Sequence, residues 1–160
     1  KGYAFGEFEI NFSPLENAKP HPDTIKWFTK HAPEAFSYCK MNQVKPKEAM
    51  KKFGNWLLTL PTPRVMAAHP SPFDYMWVNW YMQMFLKDEL DSPPSCSPFF
   101  IRGQAAFDIK SYAAAKLNID YTELHRDNYP SNLHDDTNHT HKAIDDAREY
   151  SKLLVKLLNI

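Results

Sequence analysis

Residues 3–12, YAFGEFEINF, alternate apolar and polar positions, with Phe8, Ile10 and Phe12 on one face and Glu7, Glu9 and Asn11 on the other. A period of two predicts a half-buried strand. The stretch SPLENAKPHPD after it is rich in proline and turn formers and reads as a loop. From Pro22 the period becomes helical, with proline in the first turn and Ile25, Trp27 and Phe28 set toward the core until His31-Ala32-Pro33 stops the run. Residues 45–58 predict a second helix, opened by Pro46 and carrying Ala49, Met50, Phe53, Trp56 and Leu57 at 3.6-type spacing. The short apolar run RVMAA, residues 64–68, lies between prolines and suits a buried strand ending at His69. Residues 73–85 follow as an aromatic-rich helix, with Trp77 and Trp80 expected in the core.

Residues 88–98, DELDSPPSCSP, are polar and proline-rich, a surface loop within one domain. Residues 99–102 suggest a short strand, and residues 108–117, DIKSYAAAKL, a helix with Ile109, Tyr112 and Ala113 on one side. Residues 120–140 are polar with no clear period; loops this long are commonly functional or disordered. The last helix spans residues 141–158, with Ala143, Ile144, Ala147, Tyr150, Leu154, Leu157 and Leu158 as its stripe. Strands separated by helices in this order predict an α/β fold in a single domain over residues 1–160, with helices packed on a mixed sheet.

The 160 residues are 43% hydrophobic and 24% charged, a composition that excludes a disordered tail or a polyampholyte linker. No apolar run approaches a membrane span and no signal-peptide pattern opens the chain, so the expectation is a soluble, cytoplasmic protein with no membrane partner. The 19 basic and 19 acidic residues cancel, leaving no global field to hold long duplex DNA by counterion release. The distribution is uneven: residues 1–70 carry 10 Lys/Arg and 6 Asp/Glu, residues 71–160 carry 9 and 13. Many of the acids crowd the C-terminal quarter, interleaved with His125, His134, His139 and His141, and clustered Asp and His suit hard-metal chemistry. Cys39 and Cys96 have no CxxC partner and read as free thiols.

The sharpest local signal is His141-Lys142-Ala143-Ile144-Asp145-Asp146-Ala147. His141 and Asp146 are about 140° apart on an ideal helix, so they share a side only if His141 lies at the frayed start. A carboxylate one turn into a helix can hold a divalent metal while a histidine on the preceding loop takes a proton from water. The stretch resembles the third motif, His-x-Ala-x-x-Asp-Ala, of the DEDDh 3′-to-5′ exonucleases of the ribonuclease T and proofreading superfamily. RVMAAHPSPFDYMWVNWYM is similar to that family's second motif, with Asp74 as the acid and Phe73 before it, 72 residues ahead of Asp146. The proline-led segment KPHPDTIKWFTKHAPEAF resembles the ribonuclease T-like branch, and the likeness runs from about Phe5 to the C-terminus. The family's first motif, Asp-x-Glu on the first strand, is absent; Glu7-Phe8-Glu9 lacks the leading Asp and sits where the second strand belongs.

The resemblance implies a ribonuclease H-like mixed sheet flanked by helices, lacking its first strand in this chain, with the first motif expected upstream of Lys1. It implies two-metal phosphodiester hydrolysis at the 3′ ends of single-stranded DNA or RNA, with Asp74 and Asp146 as ligands of Mg²⁺ or Mn²⁺ and His141 as general base. Phe73 would stack on terminal bases. Asp74 as a helix N-cap and His134, His139 and Asp135 as a separate metal site are the readings set beside these, and Asp145 is expected to be solvated or capping. The branch also makes a homodimer one expected assembly. Two other functions compete with the enzyme: a silent nucleic-acid-binding module of the same fold, and a structural or interaction domain.

Overall fold

The computed structural model describes residues 6–86, 106–133 and 140–160. Helix α1 is Pro22–His31, α2 Pro33–Tyr38 and α3 Pro46–Thr59; strand β1 is Ala67–Ala68 and α4 is Ser71–Leu86. Strand β2, Phe107–Asp108, runs into α5, Ile109–Leu117, and α6 is Ala143–Leu158. The fold is mixed α/β and mostly helical. Its sheet, among the described residues, is a parallel pair in which Ala67 faces Phe107 and Ala68 faces Asp108.

The proline signals place the first three helices. Each of α1, α2 and α3 has proline at its start, where the missing N–H costs nothing, and α1 ends before Pro33. The short helix α2 is one that the periodicity does not predict. The expected helix over 108–117 starts one residue later, because Asp108 is its N-cap: its side chain accepts the Ser111 N–H. Asn118, in the left-handed region at φ 54°, ends it.

The strand expected over residues 3–12 does not form over residues 6–12. Residues 1–5 lie outside the described set, and over residues 6–12 the chain forms one isolated parallel bridge, Phe12 to Val44, instead of a ladder. The alternation is used for packing on helices. Phe8 lies 5.5 Å from Phe53 and 5.4 Å from Trp56, Phe12 lies 5.0 Å from Tyr81, and the polar face gives Glu9 to the Tyr38 hydroxyl and the Asn11 amide to the carbonyls of Tyr38 and Met41. The expected strand at 99–102 falls outside the described residues.

Two clusters of buried side chains hold the chain. One joins α3 and α4 through Ala49, Met50, Leu57, Met82 and Leu86, with Ile10, Phe12 and Val44 packed against it. The other joins α5 and α6 through Ile109, Ala113, Leu153 and Leu157. Its remaining members, Leu124, Tyr129 and Leu133, come from the segment expected to be polar loop. Residues 120–133 of it are pinned down by three apolar anchors at irregular spacing. It is also tied to α6 by Arg126, whose Nε donates to Glu149 at 2.8 Å, and by Lys156, whose Nζ donates to the Leu133 carbonyl.

The stripes of the helices shift in phase from the expected ones. On α6 the buried residues are Leu153 and Leu157, while Leu158, placed in the stripe, is 60% exposed. No residue of α1 is fully buried, and Trp27 is 43% exposed. Trp77 and Trp80 are likewise exposed: α4 is apolar all round but buries only the side carrying Ser71, Met82 and Leu86. No helix among the described residues is long and apolar enough to cross a membrane.

Leu124 is fully buried in the second cluster, so Leu124→Ala will lower unfolding free energy by about 2–5 kcal/mol in urea titrations. Leu158→Ala on the same cluster's exposed flank will change it by less than about 0.5 kcal/mol. Equal effects would contradict this division of α6.

Candidate active site

Asp74 and Asp146 occupy equivalent places on two helices. Each is the fourth residue of its helix, counting from Ser71 in α4 and Ala143 in α6. Asp146 precedes Tyr150, Leu153 and Leu157 on the buried side of α6 and is half-buried, whereas Asp74, one turn before Val78, keeps much of its surface in solvent. The fold brings the two carboxyl groups into electrostatic range of one another. Burial pushes the Asp74 carboxyl above its ordinary value of 3.8, and the neighbouring Asp146 pushes it further. Asp146 Oδ1 is shut off from solvent. The positive ends of both helices lie near the pair and offset part of the repulsion.

Asp74 is not the cap of α4. The Ser71 N–H at that end is taken by Asp108, whose Oδ2 accepts it at 2.5 Å while Oδ1 takes the Ser111 N–H at 2.6 Å. One carboxylate thus serves the starts of two helices. Burial works against its charge, but the hydrogen bonds from Ser111 and Ser71 prevail and hold Asp108 below the usual carboxylate range. Its local role follows the ordinary N-cap signal, an Asp three residues ahead of Ser111; its bond to Ser71 spans 37 residues and has no local signature.

His69 joins the same framework. Its ring stacks on Tyr150 with centroids 4.3 Å apart and planes 6° apart, and its Nε2 shares a 2.6 Å hydrogen bond with the Tyr129 hydroxyl. His69 stands just before α4 and Tyr150 one turn beyond Asp146. The stack therefore sets how the start of α4 meets α6, which is what places Asp74 beside Asp146. Burial holds the His69 imidazole below its usual range, favouring the neutral ring.

His141 lies outside α6, two residues before Ala143, and its ring meets Trp27 of α1 edge to face with centroids 5.1 Å apart. Its backbone is in the left-handed region at φ 59°, a conformation costing a non-glycine residue on the order of 1 kcal/mol. The neighbouring residues stabilise it. Thr140 Oγ1 accepts the Lys142 N–H and donates to Asp145 Oδ2 at 2.7 Å, and Arg148 donates to Asp145 Oδ1 at 2.8 Å. Arg148 also pairs with Glu7 at 2.6 Å. The Thr140 and Arg148 bonds hold Asp145 below its ordinary value, so this acid is a structural partner of the turn. Glu7 and Glu9 are likewise engaged, with Arg148 and Tyr38 respectively.

Phe73 projects from the first turn of α4 beside Asp74 and is 71% exposed, free to meet a ligand. An apolar cavity of about 550 Å³ adjoins the other side of the α6 start, walled by Phe8, Phe28, Phe53, Val78, Ile144 and, at its polar rim, His141. This explains why Ala143, Ile144 and Ala147 are apolar without being core.

The donor set suits a hard divalent cation, since two anionic oxygen ligands that repel each other are what such an ion neutralises. Asp74 and Asp146 would hold it. Among the described residues, no group of three or more His, Cys, Asp or Glu stands together as a metal centre. His134, Asp135 and His139, the alternative metal site, lie outside the described residues. No family model, curated protein or solved structure matches this chain.

The raised Asp74 carboxyl has a consequence for stability. A carboxyl whose folded pKa lies above its unfolded one stabilises the fold fully below the unfolded value and loses that contribution as pH rises through the folded value. Asp74→Asn, uncharged and of the same shape, will therefore melt at a higher temperature than wild type at pH 7.5 in metal-free buffer. The advantage will shrink as the pH is lowered toward 4; a wild-type advantage at pH 7.5 would contradict the geometry.

Proposed function

We propose that this protein is a metal-dependent 3′-to-5′ exonuclease acting on single-stranded DNA or RNA, built on a ribonuclease H-like fold. The single observation that carries the reading is the Asp74–Asp146 pair: two mutually repelling carboxylates, each four residues into its helix, with His141 on the turn that opens the second helix. The parallel pairing of β1 and β2, with α4 following β1 and α5 following β2, is consistent with part of such a sheet.

On this reading Asp74 and Asp146 would hold Mg²⁺ or Mn²⁺. When bound, such ions would supply charge neutralisation at the phosphate and acidify a water. The chain's own residues do the rest. His141 accepts the proton of the attacking water on its imidazole, held outside the helix where the ring can reach solvent. Phe73 stacks on the terminal base, a contact worth about 1–3 kcal/mol that tolerates any sequence. Attraction through metal and stacking fits a chain with no net charge.

A second reading, a nucleic-acid-binding module without hydrolysis, is favoured by the donor count, since two carboxylates are half of the four that the two-metal reaction uses. A time course on 5′-labelled single-stranded DNA and RNA separates them, run with Mg²⁺ or Mn²⁺ on this chain and on any longer product of its gene. The exonuclease gives a ladder shortening from the 3′ end that chelator and Asp146→Asn abolish, and His141→Ala slows it about 10²- to 10⁴-fold. Absence of cleavage on both polymers would overturn the enzyme reading.

A further inference from the structure

We propose that the outward face of α4 is a self-association surface that seats the same face of a second copy of this chain. Phe73, Trp77, Trp80 and Met84 follow at intervals of four, three and four residues, the spacing of a coiled-coil seam, and Met76 stands beside them. On an ideal helix these side chains lie within an arc of about 100°. All are large and between 40% and 71% exposed, whereas Ser71, Met82 and Leu86 on the opposite side are buried. The helix thus carries two apolar faces, and the chain's own core uses one of them.

Area and charge point to the occupant. The seam leaves about 550 Å² of mostly apolar surface in water, at the upper end of what a monomer shows as one patch and close to the ~600 Å² per copy at which specific interfaces begin. Asp74 is the sole charged residue of α4 and lies to one side of the arc. Two copies therefore meet on this face without opposing like charges, as the pairing of one patch with itself requires. A charged peptide finds no complement there, and a lipid surface is ordinarily met by a helix flanked with Lys or Arg, of which α4 has none.

The central ring is positioned before a partner arrives. Trp80 meets Tyr81 edge to face with centroids 5.0 Å apart, and Tyr81 packs on Phe12 at the same distance. Fixed aromatic anchors lose little freedom on binding and carry most of an interface's energy. Phe73, at the end of the seam, falls at the rim of the contact, where a terminal base still reaches it. The inference does not depend on the exonuclease reading.

Sedimentation equilibrium of the full chain from about 1 to about 300 µM tests it: the wild type will follow a monomer–dimer equilibrium with a dissociation constant on the order of 10 µM, as an interface of this small size gives. Trp80→Glu, which sets a charge in the middle of the seam, will weaken the dimer at least about 30-fold with unchanged far-ultraviolet circular dichroism. Leu58→Glu, at a similarly exposed position on α3, will leave the constant within about twofold. Methyl NMR of the wild type needs no variant: the Met76 and Met84 signals will move between dilute and concentrated samples, while that of Met41, exposed elsewhere, will not. A wild type that stays monomeric throughout, a dimer that keeps its affinity in folded Trp80→Glu, or one that forms with Met76 and Met84 unmoved would overturn the proposal.

Discussion

Asp74 and Asp146 repel one another, and the surrounding structure holds them together. Asp146 gives up water, with Oδ1 shut off from solvent, and the exposed Asp74 carries the cost of lying near its charge. Three devices keep the carboxyls in place. The His69–Tyr150 stack fixes the start of α4 against α6, Asp108 ties that start to the start of α5, and the two helix N-termini lend partial positive charge.

The two hydrophobic clusters explain why those devices can be so few. The α3–α4 cluster and the α5–α6 cluster each carry one of the carboxylates on a helix of 16 residues, so the site sits where two packed units meet. Arg126 and Glu149, with Leu124, Tyr129 and Leu133, lock residues 124–133 onto α6 and bring Tyr129 to His69. A change that loosens this segment would therefore reach the carboxyl pair through His69 without touching either acid.

The helices were legible because proline starts and a 3.6 period are local signals: α1, α3, α4, α5 and α6 lie within two residues of the expected spans. The strands were not. Residues 3–12 alternate because one face packs on Phe53 and Trp56, and a period of two does not distinguish that use from a sheet. Strands of two residues are too short to carry a period at all. Of the site, Asp74, Asp146, His141 and Phe73 were marked by motif, while the last helix, expected from His141, begins two residues later at Ala143. The proximity of the acids, the second bond of Asp108 and the contact of Trp27 depend on chain segments far apart in sequence. Trp27 in particular was assigned to the core, since an aromatic at a stripe position gives no sign that half of it will face solvent.

The central claim is that Asp74 and Asp146 together hold a divalent cation, and Mn²⁺ titration followed by electron paramagnetic resonance tests it without any assumption about substrate. The account predicts bound Mn²⁺ in the wild-type protein that is displaced by Mg²⁺ and lost in both Asp74→Asn and Asp146→Asn. Binding that survives both substitutions, or is absent from the wild type, would contradict it.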